Sequence, residues 1–242
     1  MLAIFKKEIN LFFSSLIGYI SIGVFLLLTG MFMWILPQYN IFEYGFATLD
    51  QLFTIGPFVF LFLIPAITMR TFAEEQKTGT IETISTRPVT DFQIVFGKYL
   101  AGLVLILVSL LPTLLYFYTI YDLAYPVGNV DTGAAWGSYL GLLFIGGAYL
   151  AVGLFASSLT DNQIVSFILG MFLCFFFYQL LDFMKDISFL TPFDSVFNAL
   201  SLQSHYTSIS RGVLDTRDLV YFISFIGIFL FSTKTIIASR KW

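Results

Sequence analysis

The chain has 242 residues, of which 58% are hydrophobic and 11% charged, with a net charge of −3 and a mean hydropathy of +0.88. A soluble domain carries roughly a quarter charged residues, so the composition indicates an integral membrane protein and gives no reason to expect nucleic acid as a partner. A single cysteine, Cys174, and a single histidine, His205, rule out an intramolecular disulfide and a metal cluster built on thiolates.

In residues 1–15, Leu2, Phe5, Ile9, Phe12, Phe13 and Leu16 recur at three- and four-residue steps, with Lys6, Lys7, Asn10 and Ser14 on the other side. This pattern predicts an amphipathic helix lying in the membrane interface, its lysines placed for anionic lipid headgroups. A six-span domain, 16–242, follows. A helix needs roughly 20 apolar residues to cross the bilayer, and six runs qualify: Leu16–Leu36, Leu52–Met69, Lys98–Tyr118, Trp136–Ser157, Ile164–Leu181 and Leu219–Ile237. The first is too long for a cleaved signal and is expected to remain as a span. Pro57 and Pro65 predict a kinked or broken second span.

Residues 70–97 form a polar segment between spans two and three. At roughly 3 kcal/mol to bury each charge at the membrane centre, Arg70, Glu74, Glu75, Lys77, Glu82, Arg87, Asp91 and Lys98 must lie at or outside the interface. Thr90 and Gln93 have the spacing of a capping box, Val89 and Ile94 that of a hydrophobic staple, and Pro88 stops any helix arriving from upstream. Between Gly79 and Pro88, Ile81 and Ile84 share one side of a short helix. A helix out, a crossing helix and a helix back make a rigid protrusion suited to docking a soluble protein.

Span four carries Gly137, Gly141, Gly146, Gly147 and Gly153, which predicts close helix packing within one subunit. The loop 182–218 is too apolar for a solvated loop and too interrupted for a span. Short helices capping the bundle or dipping into the outer leaflet fit it better. His205, Asp194 and Ser195 lie in this loop without any nucleophile-elbow pattern, so a structural histidine is expected.

Lysine and arginine set the orientation. Lys6, Lys7, Arg70, Lys77, Arg87, Lys98, Lys234, Arg240 and Lys241 fall on one side, and Lys185, Arg211 and Arg217 on the other. Cytoplasmic loops carry the excess of basic residues, so both termini and the segment 70–97 are expected inside, with loop 182–218 outside.

The run RTFAEEQKTGTIETISTRPVTDFQIVFGKYLA resembles the segment after the second span in permease subunits of type-2 ABC exporters, with Arg70, Glu74, Gly79, Thr80, Glu82, Pro88, Gly97 and Lys98 at the matching positions. The run SHYTSISRGVLDTRDLVYF further resembles gliding-motility-associated ABC permeases of Bacteroidetes. The resemblance implies an all-α permease of the bacterial inner membrane that pairs with a second copy and docks a cytoplasmic ABC ATPase through a coupling helix at Ile81–Thr86. The ATPase-coupling residues are expected to be Glu74, Glu75, Gly79, Thr80, Ile81, Glu82, Ile84 and Arg87. No phosphate-binding G-x-x-x-x-G-K-[ST] loop is present. ATP and magnesium therefore belong to the partner, and the chain is expected to hold no cofactor and no metal and to catalyse nothing itself. In the gliding subgroup a membrane protein with a large periplasmic domain is a further partner. Three alternatives stand beside this reading. The subunit transmits mechanical work without moving a substrate, or it is the permease of another ABC exporter system, or the chain is an intramembrane enzyme, for which its spans offer no histidine ligands.

Overall fold

In the computed structural model, residues 1–37, 40–44, 47–80, 89–185, 192, 194–213 and 215–239 are described. These residues form helices and no strand. The N-terminal helix is Leu2–Ser14. Six helices are long and apolar enough to cross a membrane: Leu16–Trp34, Asp50–Lys77, Asp91–Leu123, Thr132–Leu159, Gln163–Lys185 and Thr216–Ser239. They coincide with the six predicted runs, and the third begins seven residues earlier than Lys98 because the Thr90 cap starts it on the polar side.

The fourth span is the hub. Its most apolar stretch is 78% buried, against 22% for the first span and 28% for the fifth and sixth. Leu142, Ile145, Tyr149 and Leu154 of this span are fully buried. Its glycines make that possible. A Cβ at Gly153 would overlap Thr68 Oγ1, and one at Gly137 would sit 2.6 Å from the carbonyl oxygen of Ile209. The glycine face is therefore filled from within the same chain, as predicted.

The second span is not broken at either proline. Asp50–Thr68 is a continuous helix through both Pro57 and Pro65. A proline removes the hydrogen bond to the carbonyl four residues earlier, and for Pro57 that carbonyl belongs to Phe53. The Tyr206 hydroxyl donates to it at 2.6 Å. A side chain from a different element satisfies the freed acceptor, so the helix need not break. The interruption comes later, after Thr68, before a short helix at Ala73–Lys77.

Tyr206 lies on one of two short helices, Asp194–Leu200 and Leu202–Ser210, in the predicted capping loop. The second turns Leu202, Tyr206 and Ile209 into the bundle and is capped by Ser201, whose Oγ accepts from the Ser204 N–H. Of the apolar residues that make this loop too greasy to be solvated, Ile187, Phe189, Leu190 and Phe193 lie outside the described residues. His205 is structural here: its Nδ1 is 2.6 Å from Asp218 Oδ1, and its ring stacks on Tyr221 with centroids 3.8 Å apart.

Candidate functional site at the charged end of the bundle

The end of the bundle that carries Lys7, Arg70 and Lys98 is built around the interruption in span two. The first N–H groups of a helix have no partner within it. At the restart, the N–H groups of Phe72 and Ala73 donate to Ser157 Oγ of span four, at 3.0 and 3.1 Å. The same hydroxyl donates to the Met69 carbonyl at 3.2 Å, and Gln76 Nε2 donates to the Ser158 carbonyl at 3.1 Å. Span four thus holds the re-aimed helix at a fixed place. The helix Ala73–Lys77 closes in a turn at Gly79, whose φ of +70° lies in the left-handed region that glycine adopts without strain.

Residues 81–88 lie outside the described residues, and the chain re-enters through the predicted capping box. The Gln93 N–H donates to Thr90 Oγ1, and the Thr90 N–H donates to Gln93 Oε1, each at 3.3 Å. Val89 and Ile94 both join the main apolar core.

Two turns further along, Lys98 is 3% exposed. Its ammonium donates to Glu8 Oε1 at 2.9 Å, to Glu75 Oε1 at 2.9 Å and to the Thr71 carbonyl at 3.0 Å. Three donors meet three acceptors, so the buried cation is fully satisfied. The Phe72 ring lies beneath it, 5.0 Å from Nζ to the centroid. Lys7 adds a fourth charge at 3.1 Å from Glu75 Oε1, which balances the two acids with two bases. Burial disfavours charge on Lys7, but Glu75 and Glu8 outweigh it and hold its ammonium above the usual lysine range.

This cluster joins three elements distant in sequence: the N-terminal helix through Glu8, the span-two extension through Glu75, and span three through Lys98. The N-terminal helix also packs Phe12 with Ile67, Ala101 and Leu105. Its docked face differs from the predicted stripe. Leu2 and Leu16 are exposed, while Glu8 lies buried between Phe5 and Phe12. The apolar pattern alone hides this face, because its central residue is a carboxylate with a partner.

The predicted coupling residues divide accordingly. Glu74, Gly79 and Thr80 are exposed at this end of the bundle. Glu75 turns inward and forms part of the ionic cluster. Ile81, Glu82, Ile84 and Arg87 lie outside the described residues. Sequence reasoning missed Glu8 altogether. The available signal was a lone acid at the three- and four-residue steps from Phe5 and Phe12.

A family model described as ABC-2 family transporter protein matches residues 35–237, which take in spans two to five and nearly all of span six. The match includes Glu75 and Lys98 but not Glu8. No curated protein matches the chain.

Proposed function

The chain belongs to the ABC-2 family of transporter proteins, and on that premise we propose that it is a permease subunit whose charged end receives a cytoplasmic ABC ATPase. Two copies pair to complete the pathway, and each docks one ATPase through residues 79–88. That end faces the cytoplasm of a bacterium, with both termini inside and loop 182–218 outside the inner membrane. ATP and magnesium are bound by the ATPase. The permease converts its closure into movement of the spans, in export or in work transmitted to a periplasmic partner. The likeness of Ser204–Phe222 to gliding-motility permeases favours a complex of that kind, with a membrane protein bearing a large periplasmic domain.

One observation carries this reading most directly. Both stems of the segment are fixed to the bundle, the outgoing one by Ser157 and the ionic cluster, the returning one by Val89 and Ile94, which pack in the apolar core. A force applied to the segment therefore reaches spans two, three and four together. The exposed Glu74 and Thr80 and the predicted Ile81, Glu82, Ile84 and Arg87 supply the contact surface. Burying Ile81 and Ile84 against the ATPase contributes roughly 1.5–3 kcal/mol each, comparable in total with the ~5.5 kcal/mol that drives a two-state shift from one extreme to the other.

Co-purification tests it. A tagged chain should bring down an ATPase subunit, and the double variant Ile81→Asp, Ile84→Asp should lose it while still inserting in the membrane. Full recovery of the ATPase with the double variant contradicts the docking assignment.

A further inference from the structure

Away from the ionic cluster, a groove of about 370 Å³ runs between spans three and six, with span four as its floor. This is within the range of small-molecule sites, about 300–1,000 Å³. Span three lines it with Phe92 and Tyr99, and span six, running the other way, with Phe231, Ile226 and Ile223. The Phe92 and Phe231 rings meet with centroids 5.7 Å apart, which places one mouth of the groove at the charged end of the bundle.

Two glycines shape the interior. Gly147 of span four leaves room on the floor for the Tyr99 hydroxyl. A Cβ at Gly147 would stand 2.8 Å from Tyr99 Oη and 3.5 Å from Ile226 Cδ1. Gly227 of span six forms part of the wall, and a Cβ there would meet nothing within 4 Å, so the groove is open beside it.

Two polar groups at this groove are unmatched. Tyr99 supplies the one polar side-chain atom of the lining. Its hydroxyl has no hydrogen-bond partner among the described residues and, unlike the Tyr149 hydroxyl, is not sealed away from its surroundings. A hydroxyl held in an apolar medium without a partner is costly, so it calls for an acceptor. At the mouth, Lys234 Nζ lies 5.9 Å from the centroid of the Phe231 ring. It forms no ion pair with Asp91 or with any other carboxylate among the described residues, and the lining contains no acid. This cation is free to take an anion.

From the charged end inward, the groove therefore offers a cation, then a hydroxyl donor, then an apolar slot. Tyr99 lies seven residues past Phe92, roughly 10 Å along the helix, and its side chain leans back toward the mouth. A glycerophospholipid carries its phosphate, ester carbonyls and acyl chains in the same order. From this match we infer that the groove between spans three and six binds a diacyl glycerophospholipid of the adjacent leaflet. The phosphate pairs with Lys234, an ester carbonyl accepts from Tyr99 Oη, and one acyl chain passes Gly147 and Gly227 toward Ile223. A fatty acid brings the anion without a second acceptor below it, and a sterol or a quinone brings no anion.

The site goes beyond the proposed function and does not depend on it. The test uses the full chain in nanodiscs holding equal amounts of a diacyl phosphatidylglycerol and its dialkyl ether analogue, with retained lipids counted by native mass spectrometry. The diester should be retained roughly fivefold over the ether, the ratio that one neutral hydrogen bond supplies. Tyr99→Phe, which removes only the hydroxyl, should bring that ratio close to one. Lys234→Met should lower retention of both lipids roughly tenfold, as the loss of a charge-assisted contact does. Gly227→Leu, whose side chain enters the open groove, should displace both lipids, with circular dichroism confirming the helical fold. Equal retention of the two lipids by the unmodified chain overturns the inference, as does an undiminished preference in Tyr99→Phe. Unchanged lipid retention in Gly227→Leu with altered pairing of two chains would give the groove to a second copy and overturn it as well. ATPase co-purification reports separately on the docking proposal.

Discussion

Replacing Lys98 with methionine keeps the length of the side chain and removes the cation that joins Glu8 to Glu75. The two carboxylate side chains are 6% and 13% exposed, so neither recovers full hydration in place. Breaking a buried ion pair by removing one partner costs about 3–5 kcal/mol. The lower end applies here, because Glu75 keeps Lys7 at 3.1 Å while Glu8 retains only the longer 3.7 Å approach of Lys7. The cheapest relief is for the N-terminal helix to leave and carry Glu8 into water, at the expense of the packing of Phe12 against Ile67, Ala101 and Leu105. Spin labels at Asn10→Cys and Lys77→Cys in nanodiscs read this directly. The unmodified background should give one narrow distance distribution, and Lys98→Met a broad one with a lowered unfolding temperature. The double variant Glu8→Gln, Lys98→Met should recover most of the docked population, since it buries an amide in place of an unpaired carboxylate. A narrow distribution and unchanged unfolding in Lys98→Met would refute the view that the ionic cluster holds the N-terminal helix in place.

Three further outcomes follow from individual contacts. Ser157→Ala leaves the N–H groups of Phe72 and Ala73 without their shared acceptor and should cost about 1–3 kcal/mol, read as faster hydrogen exchange over residues 72–77. Tyr206→Phe strands the Phe53 carbonyl that Pro57 has freed and should destabilise by a similar ~1–3 kcal/mol in thermal unfolding; restoring stability by Pro57→Ala in the same background would support the pairing. Gly153→Val drives a Cβ into Thr68 Oγ1, and overpacking of this kind costs typically 1–3 kcal/mol or more. It should lower the yield of folded protein, with partial rescue by Thr68→Ala.

Much of the fold was legible because the bilayer imposes a simple rule on sequence. Six runs long enough to cross it, interrupted by charges that cannot enter it, locate the spans to within a few residues, apart from the early start of span three. That start was also legible from its cap, since Thr90 and Gln93 act within one turn and need no tertiary information. What resisted was partnership across distance. The continuity of span two depends on Tyr206, 149 residues after Pro57, supplying a hydroxyl that no local pattern announces. Glu8 lies 90 residues from the lysine that neutralises it. Read alone, a carboxylate in an apolar stripe belongs on the solvated face, and only the position of Lys98 reverses that assignment. Glu75 shows the same limit: the resemblance groups it with the expected coupling residues, and no local pattern announces its pairing with Lys98, 23 residues on.

On the proposed function, the charged end of the bundle receives an ATPase from the cytoplasm. A photo-activated crosslinker incorporated at Thr80, exposed just past Gly79, tests it in intact cells, with the same crosslinker at Asn198 in the capping loop as its opposite. A covalent adduct should form between the Thr80 position and an ABC ATPase subunit, and none from Asn198. An ATPase adduct from Asn198, or modification of a cysteine at position 80 by a membrane-impermeant reagent added outside the cell, would contradict it.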